Sequence, residues 1–489
     1  MSVNAARKSA CATKRSRGRD RLVFRRGMKV PSLVILSAAL VWAGPLDDTL
    51  ATGRKALAND GVATAFKLAQ KALSDSPDSA EAHEFAGEVR FRRGDFAEAD
   101  AEFKAALEWN PRLALAWWGL GRVAECTSMN KTAVEDFHRA YELNPNDPRI
   151  LATWILRLSG QERVDALKRY QAAGSGDPNV LKELQQRAEL SKALNGREVM
   201  ALASPYKTAE VPLQAFVSAA THLRTFGLEV MVNGKPARLV LDTGAAGIVL
   251  SHPAAERVGL ARVADATVRG IGDNAKMTGG YRAIAEQFRI GDVEYRNAAI
   301  SVADQSFVGI EDGLIGSNVL GEFMMTLDFG AGKLRLDPLP GYHPGQEFQD
   351  RTVSPQMESA TRVFRFGHLL LVPSRVGNAT NRLFVLDTGA ATTLISYELA
   401  AGVSNLNRDD KTALRGLNGR VGDVYQTGNL VLDFAGFEQR NLGMTAFNTW
   451  ELSHRLGTEI SGFLGLPVLD LFTLTIDYRD GLVKFERRR

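Results

Sequence analysis

The sequence predicts a multidomain protein in which an all-α repeat solenoid precedes two copies of an all-β domain. Three observations predict it: a length of 489 residues, prolines spaced by 34 residues in the first half, and an eight-residue segment that occurs twice in the second half. At about 150 residues per domain, such a chain holds roughly three domains. We expect a solenoid at 46–196, a linker at 197–214, and β domains at 215–340 and 355–489.

The first 43 residues have the composition of an export leader. They hold ten Lys or Arg residues and one acid, and an apolar run from Val30 to Val41 precedes Ala43. This order predicts a secretory signal peptide within residues 1–43. Either translation starts at Met28, or residues 1–27 are a long basic amino-terminal region of that signal peptide. The apolar stretch from Val30 to Ala43 has about 14 residues, fewer than the roughly 20 of a membrane-spanning helix. We therefore expect a periplasmic or secreted protein with no stable membrane span in the mature chain.

Charge and metal-ligand residues argue against several function classes. Residues 44–489 carry 50 basic and 55 acidic residues, which is a formal charge of −5. Nucleic-acid-binding domains usually keep a basic excess, so no nucleic-acid partner is expected. Cys11 and Cys126 cannot build a disulfide scaffold, and the seven histidines show no metal-ligand spacing on a helix. We predict no metal and no organic cofactor.

The first predicted domain is a helical repeat. Pro77, Pro111 and Pro145 lie 34 residues apart, and each ends an apolar helical run. Small residues would let two antiparallel helices approach, and large ones would fill the gap between them. One copy has Trp117, Leu120, Gly121, Ala133, Phe137 and Ala140, and the preceding copy has Gly87, Ala99, Phe103 and Ala106. The pattern resembles tetratricopeptide repeats, which implies a concave surface that recruits a protein; a spacer or folding scaffold is the alternative.

The second half of the sequence contains an internal duplication. Residues 239–246 read LVLDTGAA, and residues 384–391 read FVLDTGAA. In both copies a glycine-bearing turn follows about 28 residues after the aspartate. An apolar element ending in glycine comes next, at Gly313–Gly316 and Gly462–Gly465, and an aspartate stands 12 residues later, at Asp328 and Asp477. Short alternating apolar runs broken by glycine are typical of all-β domains.

The repeated strand-Asp-Thr-Gly-Ala signature resembles the aspartic peptidases, and most closely their retropepsin-like branch. The resemblance covers about residues 215–489 and implies two retropepsin-like barrels arranged as in a bilobal, pepsin-type enzyme that cleaves peptides or proteins. Two carboxyl groups held close together share one proton, so one can activate water while the other polarises the scissile carbonyl. The resemblance implies that Asp242 and Asp387 are this catalytic pair and that Thr243, Gly244, Thr388 and Gly389 support the active loops.

The glycine-bearing turns are candidate flaps, which would close over a substrate. They comprise Gly270, Ile271 and Gly272 in the first copy and Gly416, Leu417 and Gly419 in the second. No aromatic residue stands at an obvious flap tip, and Gly465-Leu466-Pro467 differs from Gly316-Ser317-Asn318; both features depart from the pepsin pattern. Some family members carry Ser or Thr where this chain has Ala245 and Ala390, so a less acidic pH optimum is expected.

These observations predict an exported aspartic endopeptidase whose helical repeats recruit a protein. The alternative from another class is a non-catalytic extracytoplasmic scaffold whose β lobes bind peptides. The sequence also leaves open whether the two lobes pair within one chain or between two chains.

Overall fold

The computed structural model describes residues 44–174, 177–217, 224–268, 270, 278–304, 312–409, 414–416 and 419–488. The leader, positions 218–223 of the first predicted β lobe, and the candidate flap residues Ile271, Gly272 and Leu417 lie outside the described residues. The described chain begins with helices and continues with strands, as the sequence predicts.

Nine helices open the described part of the chain, and each packs against the next one along the chain. Gly87 and Gly121 set the spacing within two pairs, because an added Cβ would lie 2.7 Å from the rings of Phe103 and Phe137, respectively. The predicted pattern of small and large residues is thus confirmed. The helices are α1 (Pro45–Ala58), α2 (Val62–Asp75), α3 (Ala80–Arg92), α4 (Phe96–Trp109), α5 (Ala114–Cys126), α6 (Asn130–Leu143), α7 (Pro148–Ile155), α8 (Gly160–Ala173) and α9 (Pro178–Leu194).

No helix in the described ranges combines the length and the apolar character that crossing a bilayer requires.

The first β lobe follows the solenoid, and its strands join a sheet in the order β1-β9-β6-β10-β5-β4-β8-β7, with β3 paired to β4. In this sheet β10 runs parallel to β5 and antiparallel to β6. The strands are β1 (Ala201–Leu202), β2 (Ala209–Pro212), β3 (Gln214–Val217), β4 (Arg224–Val232), β5 (Lys235–Asp242), β6 (Ile248–Ser251), β7 (Arg262–Val268), β8 (Thr278–Ile290), β9 (Val293–Ala303), β10 (Gly313–Gly316), β11 (Phe323–Asp328) and β12 (Lys333–Pro338), and α10 spans His252–Arg257.

The second lobe repeats this plan, with strand order β14-β15-β16-β23-β17-β22-β21-β18 and β23 parallel to β16. Its strands are β13 (Thr361–Arg362), β14 (Phe364–Phe366), β15 (Leu369–Val376), β16 (Ala379–Leu386), β17 (Leu394–Ser396), β18 (Leu406–Arg408), β19 (Arg415–Gly416), β20 (Gly419–Arg420), β21 (Val424–Phe434), β22 (Phe437–Phe447), β23 (Gly462–Leu464), β24 (Phe472–Asp477) and β25 (Leu482–Arg487). Its helices are α11 (Tyr397–Val403), α12 (Trp450–Leu456) and α13 (Leu466–Leu469).

A third sheet joins the two lobes, and its described strands run in the order β13-β25-β24-β11-β12-β2. At its centre β11 of the first lobe pairs antiparallel with β24 of the second. Strand β2 lies in the segment predicted to be a linker and pairs with β12, so this segment forms part of the sheet. Because each lobe contributes a hairpin to one ladder, the sheet fixes the position of one lobe against the other.

The solenoid is docked on the second lobe through the turns inside its repeats. Phe91 and Phe96, at the turn between α3 and α4, pack against Phe364 and Phe366 of the lobe, with ring centroids 4.5 Å apart for the pair Phe96 and Phe364. The Glu459 backbone N–H donates to the Arg92 carbonyl at 2.8 Å. Solenoid and lobe therefore share one apolar cluster.

A second turn of the solenoid and its last helix also contact the β lobes. In the first turn of α6, next to the connection from α5, the Thr132 hydroxyl donates to the Asp350 carboxylate at 2.8 Å. At the other end of the solenoid, α9 packs on β7 of the first lobe, where the Gln186 amide donates to the Thr267 hydroxyl at 3.3 Å. The solenoid thus contacts both lobes.

The substitution Phe96→Ala tests this docking. Phe96 is buried between the solenoid and the second lobe, so we expect a loss of about 3–5 kcal/mol of stability and a lower melting temperature. Trp109→Ala is the matched control, because the Trp109 side chain is 55% exposed. Equal melting temperatures for the two variants would contradict the docking.

Candidate active site

The two Asp-Thr-Gly segments lie at the ends of equivalent strands. Asp242 ends β5, and Gly316 of the parallel strand β10 is its register partner. In the second lobe Leu386 ends β16 beside Leu464 of β23, and the Asp387 N–H donates to the Leu464 carbonyl at 3.1 Å. The apolar elements predicted to brace the active loops thus lie directly beside them.

Reciprocal hydrogen bonds of two threonines hold the loops together. The Thr243 N–H donates to the Thr388 hydroxyl at 3.1 Å, and the Thr388 N–H donates to the Thr243 hydroxyl at 2.9 Å. Each hydroxyl donates in turn to a carbonyl of the opposite strand, Thr243 to Leu386 at 2.6 Å and Thr388 to Leu241 at 2.7 Å. Both threonines are buried. Four bonds related by an approximate two-fold axis therefore join the loops within one chain.

The glycines let each loop approach the carboxyl group of the other lobe. A Cβ at Gly244 would lie 2.8 Å from Cγ of Asp387, and a Cβ at Gly389 would lie 2.4 Å from Cγ of Asp242. Side chains are excluded at these distances. The Gly244 N–H donates to the Asp242 carboxylate at 2.8 Å, and the Gly389 N–H donates to the Asp387 carboxylate at 2.9 Å.

Burial and proximity shift both carboxyl groups in the same direction. Burial raises the pKa of Asp387 well above its usual value, and the negative charge of Asp242 raises it further. Burial also raises the pKa of Asp242, against the lowering effects of the Gly244 N–H and of the neighbouring Asp387 carboxyl group. Because the two carboxyl groups lie close together and influence each other's pKa, they titrate as a pair. This arrangement can hold one proton between two carboxylates, which is the requirement for combined acid and base chemistry.

The candidate flaps are described in part. Gly416 and Gly419 are register partners in the short pair β19–β20, which agrees with a hairpin at this position. Gly270 follows β7, which pairs antiparallel with β8. Their role over a substrate remains a prediction.

A polar group next to the first active loop was missed in the sequence. The Tyr478 hydroxyl, which follows β24, contacts the Ser317 hydroxyl at 2.7 Å and donates to the His368 carbonyl at 3.0 Å. A signal existed in the difference between Ser317 and its counterpart Leu466, since only the former supplies a hydroxyl.

The chain is similar to several known proteins over parts of its length. Residues 228–319, which include Asp242 and β10, match the family described as Aspartyl protease, so the expected resemblance is confirmed for the first lobe. Among solved structures, an aspartic proteinase from Irpex lacteus is 12% identical, with 57% of this chain and 97% of that chain covered and a TM-score of 0.35. The TPR domain of Arabidopsis OM64 is 17% identical, with 22% and 87% covered and a TM-score of 0.21. No curated protein sequence matches the chain significantly.

Replacing a threonine hydroxyl by a methyl group tests the bonds between the loops. Thr243→Val removes one donor and one acceptor at nearly constant volume and leaves the Thr388 N–H and the Leu386 carbonyl unpaired. We expect a loss of about 2–4 kcal/mol of stability, measured as a lower urea midpoint. Thr243→Ser keeps the hydroxyl and should lose much less; equal losses would show that packing, not hydrogen bonding, holds the loops.

The raised pKa of Asp387 predicts how stability depends on pH. An acid whose pKa is higher in the folded state than in the unfolded state favours folding below its unfolded pKa, and this contribution is lost as pH rises through the folded pKa. Asp387→Asn removes the charge that burial opposes. The variant should therefore melt at a higher temperature than the wild type at pH 8, with the difference shrinking towards pH 4, which thermal scans across pH would measure. A constant difference across pH would contradict this assignment.

Proposed function

We propose that the protein is an aspartic endopeptidase that hydrolyses peptide bonds with a water molecule activated by Asp242 and Asp387. One observation carries the proposal: the cross-bonded loops hold the carboxyl groups of Asp242 and Asp387 close together within one chain. A turn that served only structure would have no need to withdraw two ionisable groups from water, because this costs folding free energy. The Aspartyl protease match over residues 228–319 supports the same reaction class.

In this proposal the two carboxyl groups share one proton. The reaction begins with that proton on Asp387 and with Asp242 ionised. Asp242 then takes a proton from water, and the hydroxyl oxygen bonds to the peptide carbonyl carbon. Asp387 gives its proton to the carbonyl oxygen, which forms a neutral tetrahedral diol.

Collapse of the diol breaks the C–N bond and reverses both proton transfers. Asp242 delivers the proton it took from water to the leaving nitrogen, and Asp387 recovers its proton from a diol hydroxyl as the carboxylic acid forms. The pair thus returns to its starting state after each turnover, and the hydrolysis consumes one water molecule.

The solenoid and the leader complete the proposal. Two intra-repeat turns of the solenoid are occupied by the second lobe, so a recruited protein would use the faces of the helices that these turns leave open. Such recruitment follows from the general use of helical repeats as binding surfaces. The export predicted from residues 1–43 would place the enzyme in the periplasm or outside the cell.

Cleavage of a mixed peptide library by the full-length protein across pH 3–8 tests the proposed function. Asp242→Asn and Asp387→Asn should each lower kcat/KM by roughly a thousandfold or more, because neither carboxyl group alone supplies both the acid and the base. Glu229→Gln, on β4 and outside the site, is the control for loss of a carboxylate. Cleavage that survives both active-site substitutions, or no cleavage by folded wild type, would favour the peptide-binding scaffold.

A further inference from the structure

The turn between α5 and α6 of the solenoid lies against the turn that joins β24 to β25. A Cβ at Gly481 would lie 2.5 Å from the Ser128 hydroxyl, so the two turns approach as closely as a glycine allows. The Arg351 N–H, from the segment that connects the lobes, donates to the Ser128 carbonyl at 3.1 Å. At the start of α6, the Asn130 amide donates to the Gln349 carbonyl at 3.0 Å. This turn of the solenoid therefore contacts both the connection between the lobes and the β24–β25 turn.

Arg365 joins Asn130 to the backbone of Tyr478. Its guanidinium donates one hydrogen bond to the Asn130 side-chain oxygen and a second, at 3.1 Å, to the Tyr478 carbonyl. Arg365 belongs to β14 of the second lobe, and Tyr478 directly follows β24. Because a guanidinium is planar and its N–H groups point in fixed directions, the two bonds define its position. The solenoid thus takes part in fixing the main chain at Tyr478.

The Tyr478 hydroxyl makes two hydrogen bonds at the boundary between the lobes. It donates to the His368 carbonyl at 3.0 Å and contacts the Ser317 hydroxyl at 2.7 Å. A phenol has one hydrogen to donate, so Ser317 is the donor in the second bond. Both side chains are buried. Removing the phenol oxygen therefore leaves a buried serine hydroxyl without this partner, which is unfavourable.

Ser317 lies in the segment that supports the first active loop. Gly316, which precedes it, is the register partner of Asp242, and its N–H donates to the Gly247 carbonyl at 2.7 Å. Asn318, which follows it, accepts from the Gly247 N–H at 3.0 Å through its side-chain oxygen. The position of Ser317 therefore helps to set the position of the loop that begins at Asp242.

The internal duplication provides a comparison within the same chain. By the spacing of the two copies, Phe329 is the counterpart of Tyr478, and Leu466 is the counterpart of Ser317. Neither counterpart has a hydroxyl, so the second copy cannot form this bond. The bond therefore exists once, at the turn that also contacts the solenoid.

We propose that Asn130 of the solenoid is a positioning residue of the first active loop and that it acts through Arg365 and Tyr478. Asn130 holds the Arg365 guanidinium, which in turn holds the Tyr478 main chain. The Tyr478 hydroxyl holds Ser317 and thereby the loop of Asp242. Because these residues support the site of peptide hydrolysis, the inference rests on the proposed function. It gives the solenoid a role in the reaction besides recruitment, since small displacements of a reacting group slow catalysis.

Tyr478→Phe and Asn130→Ala test the two ends of this series of contacts in the full-length protein. Each should lower kcat for peptide cleavage about five- to tenfold, as for one lost hydrogen bond, with little change in KM. Thr132→Val is the control, because it removes a bond from the same turn of α6 to Asp350 and leaves the contacts of Arg365 unchanged. Its kcat should match that of the wild type.

The double variant tests whether Asn130 acts through Tyr478. If it does, Asn130→Ala should lower kcat much less in the Tyr478→Phe background than in the wild type, because the contact that it supports is already gone. Independent roles would instead multiply the two losses. Asn130→Asp keeps the side-chain oxygen that Arg365 binds and should retain most of the kcat.

Hydrogen exchange followed by mass spectrometry needs no cleavage, so it separates this inference from the proposed function. The reporter segments are residues 243–250 and 313–320, where the N–H groups of Gly247 and Gly316 donate between the active loop and its supporting segment. A loop that is held less firmly opens more often, and its amide hydrogens exchange faster. Tyr478→Phe should therefore speed exchange in both segments, about five- to tenfold.

Asn130→Ala should speed exchange in the same two segments, whereas Thr132→Val should exchange there like the wild type. Asn130→Ser, which shortens the side chain but keeps a polar group, takes the place of Asn130→Ala if the latter does not fold. A wild-type exchange rate in a folded Asn130 variant would show that the solenoid does not hold the loop.

Three kinetic outcomes would also overturn the inference. The first is a wild-type kcat for Tyr478→Phe, and the second is a pair of losses that multiply in the double variant. The third is a Thr132→Val or Asn130→Asp variant as impaired as Asn130→Ala, because then general docking, not the bond to Arg365, would matter. A folded wild type that cleaves no peptide would refute the proposed function, and the exchange rates would still decide the role of Asn130.

Discussion

Two carboxyl groups held close together, one buried and one half-buried, are the constraint around which the β lobes are organised. Withdrawing ionisable groups from water is unfavourable, so something else must hold the loops together. The threonines do this with four hydrogen bonds that cross the lobe boundary. Gly244 and Gly389 are required because any side chain there would collide with the opposite carboxyl group. Each position of the Asp-Thr-Gly triplet thus has its own role. The aspartate supplies the carboxyl group, the threonine bonds to the opposite loop, and the glycine lets the opposite carboxyl group approach.

The rest of the fold limits how far the two loops can separate. The sheet that pairs β11 with β24 joins the lobes through backbone hydrogen bonds. Directly after β24, the buried Arg479 pairs with Asp480 at 2.9 Å and donates to the Pro340 carbonyl at 2.6 Å, which fixes the chain between the lobes. The solenoid adds a contact to each lobe, through Phe96 and through Gln186. The helical domain is therefore part of the same packed unit as the β lobes.

Much of this could be predicted from local patterns. The 34-residue spacing predicted the paired helices, since Gly87 and Phe103 meet within one repeat, and the duplicated triplet predicted which residues meet between lobes. The docking of the solenoid on the second lobe could not be predicted. Phe96 fits the helical repeat pattern and Phe364 fits a strand pattern, and neither pattern indicates a contact with another domain. Strand β2 lies in a segment whose sequence is polar, so its own pattern did not predict a strand. It forms by pairing with β12, which belongs to a hairpin more than 100 residues further along the chain. Tyr478 and His368 were missed for the same reason, as their contacts join positions more than 100 residues apart.

Duplication alone would give two carboxyl groups in equal surroundings. Equal surroundings would not distinguish the carboxyl group that acts as the acid from the one that acts as the base. Two like groups in contact share a proton, but equal environments would place it on either with equal probability. Here the copies have diverged next to their loops. Ser317 reaches Tyr478 beside Asp242, whereas the equivalent position beside Asp387 is the buried Leu466. Polar contacts favour the charged carboxylate and apolar surroundings favour the neutral acid. The divergence therefore gives the two carboxyl groups different surroundings, which is what the proposed acid and base roles require.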